Sequence, residues 1–277
     1  MKKFWAVLGS LCLASGFALA QDDVELFIDG EKISTKVDAP ADSPFTELYS
    51  GWRFRTPETQ ALQTDDFDNP GFVYVELAEE IWETPDGASQ KSCADCHGGV
   101  ESLEGLRAQM PKWNEAASAP WTLEDWINWS REEHQQADPW KWESQEMLAM
   151  TALIGLQSRG MPVNVQTDGP MAPWVEKGKE LYYTRVGQLD LACKNCHEDN
   201  YGNMIRADRL SQGQSNGFPV YRLKWQGLGS LHRRFKGCME QVRATPYKRG
   251  SDEFTALELY LASRGQGLSV ETPSVRN

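Results

Sequence analysis

Two stretches of the chain, "MLAMTALIGL" at 147–156 and "FTALELYLA" at 254–262, place apolar residues at helical spacing. Each follows a similar polar opening, Ser144-Gln145-Glu146 in one case and Ser251-Asp252-Glu253 in the other. A serine followed by acids reads as an N-cap with a negatively charged first turn. Each stretch also ends in the same tripeptide, Ser158-Arg159-Gly160 and Ser263-Arg264-Gly265. These echoes lie 107 and 105 residues apart, the mark of an internal repeat. A third segment, "WVEKGKELYYTRV" at 174–186, predicts another helix, and "GSLHRRFKGCMEQVR" at 229–243 a short one capped by Ser230. The pattern predicts a mainly α chain of two tandem helical units, 21–165 and 166–277. The break falls in the Pro- and Gly-rich stretch between Pro162 and Pro173.

The first 20 residues break the pattern. Lys2 and Lys3 precede an apolar run that ends in Ala18-Leu19-Ala20, which predicts a secretory signal peptide and a periplasmic destination. The run is too short to span a bilayer, and no later stretch is apolar enough to do so.

Charge adds a polarity to this plan. The net charge of -12 becomes -14 once Lys2 and Lys3 are removed, which argues against nucleic acid as a partner. Residues 21–100 carry 18 Asp and Glu against 5 Lys and Arg. Residues 221–250 reverse this, with 8 Lys and Arg against Glu240 alone. The basic stretch is either a solvated face or a local site for an anion.

Six cysteines occur, and Cys12 leaves with the leader. Cys93, Cys96 and His97 form one C-x-x-C-H motif, and Cys193, Cys196 and His197 another, 100 residues later. In such a motif two thiols add to the haem vinyl groups and the His becomes the proximal iron ligand. A four-cysteine zinc site would space its pairs far more closely. Two covalent c-type haems are therefore expected, and the two units read as cytochrome c-like domains.

Cys238 is left unpaired in an exported chain, which marks it as reactive or coordinated. Met239 is its neighbour, and about 100° of helix rotation separates them, so only one can face an iron. Arg234 stands one turn before Cys238, where a guanidinium would favour the thiolate and grip an oxyanion. His232 reads as solvent-facing. In the first unit, thirteen residues before Ser144 lead to the vicinity of Ser130, a poor iron ligand. His134, one turn on, is the expected distal ligand there, with a solvent-exposed role or Met147 and Met150 as its competitors.

At this point the sequence resembles the SoxA family, from about residue 45 to the C-terminus. The resemblance is carried by "SGWRFRTPETQALQTDDFDNPGFVYVE", both haem motifs, "WKWESQEMLAMTALIGLQSRGMPV", "GFPVYRLKWQGLGSLHRRFKGCMEQVRATPY" and "TALELYLASRG". It implies an L-cysteine S-thiosulfotransferase that joins thiosulfate oxidatively to a cysteine of the SoxYZ carrier protein. Electrons would leave through haem to SoxX and a soluble cytochrome c acceptor. It also implies that Cys238 is both haem ligand and persulfide-bearing group, and that Arg234 is the active-site arginine. One departure stands out: the resemblance implies a distal cysteine ligand of the first haem, which many dihaem relatives carry in a motif like "IN-x-C-R", where this chain has "INWSR" with Ser130. A thiosulfate dehydrogenase forming tetrathionate, a plain dihaem electron carrier and a dihaem peroxidase are the competing readings.

Overall fold

The computed structural model describes residues 24–277, so the expected leader, with Cys12, lies outside the described residues. The chain begins with two short antiparallel hairpins, β1 (Leu26–Ile28) with β2 (Glu31–Ile33) and β3 (Lys36–Asp38) with β4 (Glu47–Tyr49). A small helix, α1 (Pro57–Ala61), follows; Pro57 sits in its first turn and Thr56 caps it, accepting from Thr59 N–H.

Two matching series of elements then run along the chain. The first comprises α2 (Phe72–Glu83), α3 (Ala94–His97), β5 (Lys112–Asn114), β6 (Ala119–Trp121), α4 (Leu123–Ser130) and α5 (Gln145–Leu156). The second comprises α6 (Ala172–Tyr183), α7 (Cys193–His197), the small hairpin β7 (Met204–Ile205) and β8 (Asp208–Arg209), then β9 (Val220–Arg222), β10 (Gly227–Gly229), α8 (Leu231–Gln241) and α9 (Asp252–Arg264). The strand β11 (Ser274–Arg276) closes the chain, parallel to β9, while β10 is antiparallel on its other side. Among the described residues no helix is long and apolar enough to cross a membrane.

The helix starts follow from local chemistry. Thr122 Oγ1 accepts from Asp125 N–H, and Asp125 returns a bond from Thr122 N–H at 2.9 Å, a reciprocal cap on α4. Ser230 accepts from Arg233 N–H at 3.1 Å at the start of α8. Ser144 and Ser251 cap α5 and α9 in the same way, the second as its sequence context predicts. Each such cap contributes about 1 kcal/mol.

Helix pairs form the two cores. Val75, Ala78 and Trp82 of α2 pack with Met147, Met150 and Leu153 of α5. Tyr182 of α6 packs with Phe254, Leu257 and Leu261 of α9. The α6–α9 crossing is so close that a Cβ on Gly178 would lie 2.0 Å from the Ala256 carbonyl oxygen. The matching residue of α2, 100 positions earlier, is Ala78, also fully buried.

Three features escape the sequence reading. The N-terminal segment, assigned there to the first unit, also packs on the second series. Arg55 pairs with Asp208, Tyr49 N–H donates to Gln212 at 2.8 Å, and Phe45 and Phe54 meet Tyr201 edge-on. The C-terminal tail returns to the first series, where Val163 N–H donates to Leu268 O at 2.9 Å. His232, expected to face solvent, is completely buried. Its ring stacks on Trp142 at 4.5 Å, Nδ1 accepts from Gly250 N–H at 3.0 Å, and Nε2 lies 3.2 Å from Glu258. The burial of its neighbours Leu231 and Phe235 carries it inward.

Candidate active site

The second C-x-x-C-H motif forms α7 itself, which places Cys193 and Cys196 about a turn apart with His197 beside them. His197 Nδ1 lies 2.7 Å from the Ser211 carbonyl oxygen. That bond holds the proton on Nδ1 and leaves Nε2 as the donor atom for a metal. Gly213 backs the ring: its φ is +79°, and a Cβ there would approach His197 Cγ to 2.9 Å. Two thiols on one turn and an imidazole fixed by the Ser211 carbonyl oxygen are the donor set of a covalent haem c, and the residues fit that group.

The helix α8 brings Cys238 to this motif. Leu231, Phe235 and Cys238 follow at i, i+4 and i+7 and so share one face. Leu231 and Phe235 are buried in the core cluster against which Cys193 packs. Cys238 lies close enough to His197 and Arg234 for both to act on its thiol electrostatically. Burial pushes its thiol up, but Arg234, then His197 and Arg222, outweigh that and bring it down to about 7. Cys193 is pushed up to about 12 by burial and by Cys238, and Cys196 is raised for the same two reasons. Met239, the competing ligand in sequence, instead packs against the same core from the edge.

Arg234 is half-buried, and its guanidinium makes no hydrogen bond or ion pair to the protein among the described residues. Arg222 and Arg55, which the sequence reading did not single out, lie close enough to oppose its charge. Both are buried and held by Asp208: Arg222 Nη2 stands 3.2 Å from it, and Lys224 Nζ 3.5 Å. Burial, followed by Arg234, lowers Arg222 to about 10, so it stays charged at neutral pH. Arg222 lies in the basic stretch visible in sequence. Arg55 comes from the acidic N-terminal half, and only the fold delivers it.

The first motif has a thinner setting. Cys96 and His97 are exposed, and Cys93 is half-buried. The Trp82 ring lies 5.8 Å from that of His97, and its Nε1–H donates to Gly98 O at 2.9 Å. Ser130 is half-buried at the end of α4. Beyond it, Arg131–Gln135 form a wide π turn. The extra residue in that turn moves Gln135 to the inner position, 3.9 Å from Cys93 Sγ and almost fully buried. His134, expected to face the first haem, is exposed with its ring edge-on to Trp129 at 5.0 Å. No hydrogen bond or ring contact joins it to His97 among the described residues.

Comparison with known proteins places this arrangement. The cytochrome c domain model of SoxA and TsdA matches residues 77–163 and 177–270, the same two series of elements. The L-cysteine S-thiosulfotransferase subunit SoxA of Rhodovulum sulfidophilum is 53% identical over 268 residues, covering 95% of this chain and 93% of its own. That of Paracoccus pantotrophus is 50% identical across the full length of both chains. The crystal structure of SoxXA from P. pantotrophus superimposes with a TM-score of 0.89, at 50% identity, over 93% of this chain and 99% of that one. The chain belongs to the SoxA family of c-type cytochromes.

Proposed function

We propose that the chain is the haem-bearing subunit of an L-cysteine S-thiosulfotransferase in the periplasm, working with a SoxX cytochrome subunit. It carries two covalent haem c groups in two domains, 21–165 and 166–277. Cys93, Cys96 and His97 hold one haem; Cys193, Cys196, His197 and Cys238 hold the other. The substrates are thiosulfate and a cysteine thiol of a SoxYZ carrier protein. The single observation that carries this reading is Arg234: a half-buried guanidinium without a hydrogen bond or ion pair to the protein among the described residues, one turn before a thiol whose acidity it raises.

The reaction joins the outer sulfur of thiosulfate to the carrier cysteine sulfur. One S–S bond forms, the carrier thiol loses its proton, and two electrons leave. The haem supplies a route for those electrons toward SoxX and a soluble cytochrome c. The protein's own part is binding and positioning. Arg234 grips the sulfonate end through paired N–H donors. Arg222 and Arg55 add an attractive field for a dianion. Cys238, held as a thiolate by Arg234, would bond to the outer sulfur of thiosulfate as the two electrons leave, and the carrier thiolate would then attack that same sulfur, forming the product S–S bond and returning Cys238 as the thiolate. His197, oriented by the contact of its Nδ1 with the Ser211 carbonyl oxygen, would offer Nε2 to hold the haem.

The test is turnover of thiosulfate with the carrier protein and ferric cytochrome c, for the natural complex and for Cys238→Ser. The expected result is carrier-dependent cytochrome reduction that the substitution abolishes. Equal cytochrome reduction without carrier, with tetrathionate as product, would make the chain a thiosulfate dehydrogenase instead.

A further inference from the structure

The two series of elements keep the same order and the same spacing around α4 and α8. Strands β5 and β9 start at Lys112 and Val220, β6 and β10 at Ala119 and Gly227, and α4 and α8 are capped by Thr122 and Ser230. Every pair is 108 residues apart. At that offset Cys238 corresponds to Ser130 and Arg234 to Trp126. The inward stripe Leu231, Phe235, Cys238 has its counterpart in Leu123, Ile127, Ser130. Leu123 and Ile127 are buried in the cluster against which Cys93 and Ala94 pack. Ser130 therefore continues the face that looks toward the first haem motif, as Cys238 does at the second. Its hydroxyl makes no hydrogen bond to the protein among the described residues.

A neutral hydroxyl is a weak iron ligand beside thiolate or imidazole. The next candidate along the face, His134, is turned outward by the π turn onto Trp129. Met147 and Met150 are almost fully buried among the apolar residues of the α2–α5 core. We propose that the first haem has no side-chain ligand on its Ser130 side, and that this position is a binding site for small exogenous iron ligands of the size of carbon monoxide or cyanide. The ligand would sit beside the Ser130 hydroxyl, which donates a hydrogen bond to it. The inference rests on the dihaem reading above.

Haem count by intact mass comes first, because a chain with one covalent haem fails the dihaem reading and not this proposal alone. With two haems present, the dithionite-reduced complex is titrated with carbon monoxide, and the ferric complex with cyanide, both followed in the Soret band. The expected result is one equivalent of carbon monoxide bound per chain and a high-spin ferric signal. Both should be lost in Ser130→Cys, which restores a sulfur at this position, and kept in His134→Ala. A low-spin first haem that binds neither probe until His134 is removed would make His134 the ligand and overturn the proposal. Failure to bind either probe in both proteins would do the same in favour of another side chain, such as Met147 or Met150. Ligand uptake unchanged by Ser130→Cys would place binding at the second haem and also overturn it.

Discussion

Ser130 and Cys238 occupy the same position in two copies of one structural series, each eight residues beyond the cap of its helix. Around that shared position the two copies diverge as a set. Arg234 stands where the first copy has Trp126, and Arg222 where it has Asn114. Thiol and both guanidinium groups fall on the second copy, and the first has a hydroxyl, an indole and an amide in their places. On the reading proposed above, sulfur chemistry would belong to the second site alone.

Replacement of Arg234 by Gln removes a guanidinium free to bond substrate. Charge-assisted hydrogen bonds contribute about 1.5–3 kcal/mol each, so kcat/KM for thiosulfate should fall about 10- to 100-fold. Arg234→Lys keeps the charge without the planar fork and should lie between the two. Steady-state kinetics with the carrier protein at saturation measures this. An Arg234→Gln enzyme with unaltered kcat/KM would show that the sulfonate binds elsewhere.

Arg222 acts at longer range, because its guanidinium is already engaged by Asp208 and by the Asn277 carbonyl oxygen at 2.7 Å. Arg222→Gln should raise KM for thiosulfate by about 3- to 10-fold and leave kcat within about 2-fold, as expected for loss of uniform binding. The salt dependence of kcat/KM should also flatten. A fall in kcat at constant KM would mean that Arg222 acts in the chemical step.

Gly213 presses on the His197 ring in a backbone conformation that disfavours other residues. Gly213→Ala should tilt or displace the imidazole and lower haem loading at the second motif while sparing the first. Peptide mapping of haem attachment at Cys193 and Cys196 against Cys93 and Cys96 reads this directly. Full loading at both motifs, with unchanged spectra, would show that the ring has room to yield.

The haem motifs, the Cys238–Arg234 pairing and the serine caps of the last helices were legible because each is a local rule over a few residues. The hairpins before α4 and α8 were not, since strands of three residues carry too little alternation to register. The contribution of Arg55 was also invisible. It depends on an ion pair with Asp208, 153 residues away, and nothing local marks it. His134 lies on the outside for a definite reason: helical spacing assumes a regular turn, and the π turn at Arg131–Gln135 adds a residue and hands the inner position to Gln135. Charged neighbours misled the reading of His232, whose helix face is set by Leu231 and Phe235.

Glu124 offers a test of the packing between α4 and α9. Burial, then the charge of Glu258, pushes its carboxyl up to about 8, with Asp125 adding to this and Arg107 opposing it. A carboxyl raised above its unfolded value of about 4.3 holds its proton in the fold after the unfolded chain has lost it. Its contribution is fully present below about pH 4.3 and is lost as the pH rises toward 8. Glu124→Gln removes this titration and keeps the shape. The variant should match the natural protein near pH 4 and exceed it progressively up to pH 8, by a few kcal/mol at most. Denaturant unfolding of the holoprotein at a series of pH values measures the difference. Parallel stability curves from pH 4 to 8 would mean that Glu124 loses its proton in the fold as readily as in the unfolded chain.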